Sequence, residues 1–87
     1  MLLNFMDYVE ECAQNILDEK LAGDEAVAEV GYYLDYHADE VIASYVMHYG
    51  IHTVNEIGEI YEFFENKVLE EVVEIEADQC DFFFFHV

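Results

Sequence analysis

Arginine is absent from this 87-residue chain, and lysine occurs only at Lys20 and Lys67, against 21 aspartates and glutamates. The net charge is −19 at neutral pH. Direct binding to nucleic acid is thereby excluded, because it rests on lysine and arginine neutralising phosphates. Proline is also absent, so glycine (Gly23, Gly31, Gly50, Gly58) is the main punctuation. No uncharged run is long enough for a bilayer span. The longest, Val41 to Asn55, falls short of the roughly 18 residues needed. Met1-Leu2-Leu3-Asn4-Phe5-Met6-Asp7 lacks the basic start of a secretory signal. Cysteine is limited to Cys12 and Cys80, with no CxxC pair. Free thiols in a cytoplasmic protein are the expectation, and a Cys12–Cys80 disulfide is the lesser reading.

Catalytic signatures are missing too. There is no GxSxG, HExxH or P-loop glycine pattern. His48 and His52 are four apart but separated by Gly50, and Asp35-x-His37-x-Asp39 has strand-like spacing in a helical region. Capping, surface or core roles are expected for these groups, with no metal, no cofactor and no enzymatic activity.

What the chain does contain is apolar mass. Hydrophobic residues make up 55%, with seven Phe and seven Tyr. Disordered acidic chains are poor in such residues, so a folded domain spanning 1–87 is expected, acidic outside and aromatic within. Phe5, Val9, Cys12, Ala13, Ile16 and Leu17 trace one face of a first helix from about Phe5 to Ala22, with Asn4 as N-cap and Gly23 as the C-terminal glycine. Val27, Val30, Leu34, Ala38, Val41, Tyr45 and His48 trace a second segment, Asp24 to Tyr49, capped by Asp24 and ended by Gly50. It reads as one helix or as two broken near His37–Asp39, with Asp39 recapping. Gly31 suits close approach of another helix. Thr53-Val54-Asn55-Glu56 reads as a capping box, opening a third helix with Ile57, Ile60, Phe64, Val68, Val72 and Ile75 inward, to about Glu74 or Glu76. Ala77–Val87, with Phe82–Phe85, loses the period and reads as an irregular or short-strand aromatic tail across the helices, raising the chance of a homodimer. The fold class is mainly α: a compact bundle of three to four helices.

The acidic pattern is the functional signal. Glu56, Glu59, Glu62 and Glu65 recur every three residues, each about 60° round and 4.5 Å along the helix from the last. Glu70, Glu71 and Glu74 continue that face. Glu10, Glu11, Asp18, Asp35 and Asp39 extend the candidate surface to the other segments. A merely solvated face usually carries Lys beside Glu; here Lys67 is almost alone. With a diameter of roughly 30 Å for a compact chain, the charge per length matches duplex DNA, at one charge per roughly 1.7 Å.

In size, acidity and helical pattern the chain resembles the small phage-encoded DNA mimics, antirestriction proteins and anti-CRISPR inhibitors. The resemblance is carried by the Glu56–Glu65 run and the missing arginines. It implies an inhibitor, working in an infected bacterial cytoplasm, whose carboxylates occupy the basic groove of a nucleic-acid-binding protein or nuclease complex. The alternative is an acidic adaptor that binds a basic partner through its tyrosines and the Phe82–Phe85 tail.

Overall fold

The computed structural model describes the backbone of residues 2–85 and the side chains of residues 2–77. Three α-helices form among the described residues: α1 (Phe5–Asp18), α2 (Asp24–Tyr49) and α3 (Ile57–Phe85), with a 3₁₀ turn at Ile51–Thr53 before α3. The contacts of Phe5 with Tyr45 and Tyr49, and of Glu11 with Tyr33, set α1 and α2 antiparallel.

Residues of α1 at i, i+3, i+4, i+7, i+8 and i+11 (Phe5, Tyr8, Val9, Cys12, Ala13, Ile16) are all buried. Asn4 precedes the helix, and Asp7 Oδ2 accepts its backbone N–H at 3.2 Å, satisfying a donor the helix start leaves free. α1 stops four residues before Ala22. Lys20 takes a left-handed φ of 57°, and its N–H reaches Leu17 O while Leu21 N–H reaches Ile16 O. That is a Schellman stop built on lysine instead of the anticipated Gly23. Gly23 serves α2 instead. It occupies the N-cap at φ 59°, ψ −128°, a region open to glycine alone, and Asp24 becomes the first helical residue rather than the cap.

α2 is kinked at His37, whose φ of −123° and ψ of 18° are not helical. This is the break anticipated near His37–Asp39, although Asp39 makes no capping hydrogen bond among the described residues. The inward face is Ala26, Val30, Tyr33, Val41, Ser44 and Tyr45. Val27 and His48, assigned inward from the sequence, are exposed. Gly50 ends the helix at φ 92°, its N–H on Val46 O at 2.9 Å.

α3 contributes Ile60, Phe64 and Val68 to the core, with Phe63, Leu69 and Val72 packed at its edge. It does not give way to an irregular or strand-like tail but continues to Phe85. No Gly or Pro follows Gly58, and loss of a one-sided apolar period does not itself end a helix. The side chains of Phe82–Phe85 and of Cys80 lie outside the described residues, as do His86 and Val87. At 29 residues α3 is about 43 Å long, against about 21 Å for the 14 residues of α1. The body is therefore elongated, with extents of 48 × 25 × 23 Å and a radius of gyration of 14.2 Å, instead of the sphere near 12 Å expected for a compact chain of this length.

The three helices meet on an aromatic nucleus. Phe5, 1% exposed, lies 5.6–5.8 Å from the rings of Tyr45, Tyr49, Phe63 and Phe64. Tyr33 stacks on Phe64 at 5.7 Å. Gly31 does not mediate a close helix approach: a Cβ there meets nothing within 4 Å. Gly31→Ala is therefore expected to raise stability by about 0.5–1 kcal/mol, a rise of about 3–6 °C in Tm measurable by circular dichroism. An unchanged or lowered Tm would contradict the open surroundings of this position.

Candidate partner-binding surface

The eleven candidate carboxylates are set by all three helices. Glu10, Glu11 and Asp18 stand on α1, Asp35 and Asp39 on α2, and Glu59, Glu62, Glu65, Glu70 and Glu74 on α3, with Glu56 just before it. All are exposed except Glu65, which is half-buried. Opposite the buried face of Phe64, the exposed residues of α3 within about 60° of the outward direction include Glu59, Glu62, Asn66, Glu70, Val73 and Glu76. Glu65 turns to the flank. Asn66 leaves a step of about 12 Å along the axis between Glu62 and Glu70, so the carboxylates on this helix come in separated groups. Taken together the eleven surround the body instead of paving a single side.

Several are engaged locally. Glu59 Oε2 accepts the Asn55 N–H at 2.7 Å, placing a carboxylate at the positive end of α3. The anticipated capping box at Thr53 does not form. Thr53 Oγ1 instead contacts Tyr45 Oη at 2.8 Å and donates to Gly50 O at 2.8 Å, tying the α2–α3 connection to the aromatic nucleus. Asp18 Oδ1 accepts from Gln14 Nε2 at 2.9 Å. Glu70 Oε2 lies 3.6 Å from Lys67 Nζ, which also sits 5.5 Å from the Phe63 ring centroid. Glu62 and Glu74 make no hydrogen bond or ion pair among the described residues. His37 Nδ1 is 3.7 Å from Glu40 Oε1, too far for a hydrogen bond, and is buried without one.

Tyr33 is the positioning residue that its sequence neighbours concealed. Its hydroxyl donates to Glu11 Oε1 at 3.1 Å, pinning that carboxylate at the α1–α2 seam, while Tyr32 and Tyr36 are 62% and 85% exposed. The i, i+4, i+7 phase of Ala26, Val30 and Tyr33 is the signal that separates them. Cys12 is a free buried thiol, pushed up to about 12 by burial and then by Glu29 and Glu11. The Tyr33 phenol is pushed up by burial and then by Glu11. Neither group is a nucleophile at neutral pH. No group of three or more His, Cys, Asp or Glu among the described residues is placed to hold a metal, and no helix among them is long and apolar enough to cross a membrane.

Comparison with known protein families, with curated proteins and with solved structures finds no match for this chain.

The two raised groups fix an alkaline limit. Each has a folded pKa above its unfolded one, so its contribution is whole below about pH 9 and is lost as the pH rises toward 12. Tm is expected to fall steadily between pH 9 and 11, and Tyr33→Phe to flatten that fall relative to its own value at pH 7. A parallel decline in both proteins would contradict the assignment to the phenol.

Proposed function

We propose that the protein is a nucleic-acid mimic that inhibits a bacterial defence nuclease complex, in the manner of antirestriction and anti-CRISPR proteins, by filling its basic DNA- or RNA-binding groove. It works in the cytoplasm of the infected cell and carries out no chemistry of its own. The observation that carries this reading is charge per unit length. A net charge of −19 on a 48 Å long axis is one charge per about 2.5 Å, between the roughly 1.7 Å of duplex DNA and 3.4 Å of a single strand. Carboxylates on every helix suit a groove that closes around its ligand, and the shortage of cations leaves them available to Lys and Arg. Association would be steered by the field and would weaken steeply with salt.

The adaptor reading has one observation in its favour. Tyr32 and Tyr36 stand one turn apart on the outer face of α2 beside Asp35 and Asp39, with most of each ring in solvent. Tyrosines so placed supply contact area to a protein partner.

Capture from bacterial lysate, followed by elution with duplex DNA and with salt, separates the two. Mimicry predicts release by both, and competition between the protein and nucleic acid for the captured target. Changing Glu62, Glu70 and Glu74 together to Gln is expected to weaken inhibition by about tenfold at about 0.1 M salt, where the Debye length is near 10 Å, with Tm unchanged or raised. Capture that resists DNA and salt but is lost on Tyr32→Ser and Tyr36→Ser would transfer the function to the adaptor. Absence of any basic partner would end the mimicry reading.

A further inference from the structure

The acidity stops at one end of the body. No Asp or Glu precedes Asp7, and none occurs between Glu40 and Glu56. Folding brings these segments together, because Phe5 at the start of α1 meets Tyr45 and Tyr49 at the end of α2 and Phe63 near the start of α3. The large apolar residues left in solvent are concentrated there: Leu2, Leu3, Met6, Met47, Ile51 and Ile57, with Met47 78% and Ile51 67% exposed. A groove of about 170 Å³ between the start of α1 and the last turns of α2 is lined by Leu3, Phe5, Met47 and His48 among others, with no carboxylate. Asp7 and Glu59, at the rim, fold back onto the backbone N–H groups of Asn4 and Asn55. Glu56 remains as the rim charge beside them. The result is an apolar centre with a polar edge, the composition of an interface.

We propose that this end is a self-association surface, on which a second copy of the chain docks end to end about a twofold axis. Charge selects this occupant. A basic partner is drawn to the shaft and finds no counterion at the uncharged end. Two copies meeting side by side would press acidic faces together at a separation of about 24 Å, the width of the body. Meeting at their uncharged ends, they hold their charge centres about 48 Å apart, the length of the body, several Debye lengths at physiological salt. The same patch can face itself across a twofold axis because its exposed Leu2, Leu3, Met6, Met47, Ile51 and Ile57 are interspersed with uncharged polar groups such as Asn4 and Ser44, not with carboxylates. The cross-section of 25 × 23 Å offers roughly 450 Å² per copy. That is well below the roughly 800 Å² per partner of a standard interface, so the association belongs to the weak, transient class. The surface is distinct from Phe82–Phe85, which lies at the opposite end of α3, and it does not depend on the mimicry reading.

Sedimentation equilibrium of the full chain tests it, between about 10 µM and 1 mM in 0.3 M NaCl at pH 8. The weight-average mass should rise from the monomer value of 10.2 kDa toward twice that, and rise more readily as salt increases. Met47→Glu and Ile51→Glu alter exposed positions, so both should keep the wild-type helical spectrum while each remains monomeric across the range. A wild-type mass that stays at the monomer value to 1 mM overturns the proposal. So does association that persists equally in both variants, which would place the contact elsewhere, at Phe82–Phe85 among other sites. Growth beyond a dimer also overturns it, because a twofold contact closes.

Discussion

Phe5 is the point on which the three helices depend. Its ring, on α1, contacts aromatic side chains from both α2 and α3. The edge-to-face and stacked pairs around it add about 0.5–1.5 kcal/mol each beyond the area they bury. That attraction has an unusual opponent. Most small domains work only against chain entropy, whereas here 19 net charges also push the helices apart. The core answers by excluding charge: among the described residues its single buried polar one, Ser44, donates to Val41 O at 2.9 Å. Charged groups meet the nucleus at its edge, as Glu11 does at the Tyr33 hydroxyl and Lys67 over the Phe63 ring, and the Tyr45–Thr53 contact fixes the α2–α3 connection with hydroxyls alone.

Much of this was legible in the residues, and the failures have physical causes. The inward face of α1 is plain because its polar positions are charged and its apolar ones are not. The kink at His37 and the stop at Gly50 follow from the segment's length and its glycine. The phase of α2 is harder to read because tyrosine serves both faces. Tyr33 is buried and Tyr32 is in solvent, and residue type does not distinguish them. Lys20 takes the stop anticipated for Gly23, since a left-handed residue costs a lysine only about 1–2 kcal/mol, and Gly23 takes the N-cap anticipated for Asp24. No other residue could follow Gly23 into its own conformation. Thr53 satisfies the spacing of a capping box, yet its hydroxyl finds Gly50 O and Tyr45 first, and Glu59 takes over the backbone N–H.

The candidate surface was legible in composition and less so in arrangement. That carboxylates face water follows from their type. Periodicity along one helix cannot tell how three helices place their charges relative to one another. A sphere of the same length concentrates them as densely as duplex DNA; the extended α3 spreads them along a shaft. That lowers the linear density to a value between double- and single-stranded nucleic acid. It also distributes the charge around the long axis, as phosphates are distributed around a helix. Mimicry of this kind depends on shape and total charge more than on the position of any one glutamate, which is consistent with local duties such as the bond from Asn55 N–H to Glu59.

The uncharged end and the acidic shaft have one origin. An aromatic nucleus that joins three helices excludes unpaired carboxylates from its interior, because a charge buried there would lose solvation without gaining a partner. The segments that supply Phe5, Tyr45 and Tyr49 are accordingly those without acidic residues. Elsewhere the core is a narrow inward face, as at Val9, Cys12, Ile16, Val30 and Val68, so the outer faces of the helices accumulate negative charge with little cost to packing. The uncharged end leaves Met47, Ile51 and Ile57 in water, next to a core already closed beneath them. A body built this way is asymmetric along its length in the electrostatic sense, with self-association proposed at one end and a basic partner along the remainder. The constraint that lets so acidic a chain fold is therefore the same one that separates an end without carboxylates from an acidic shaft.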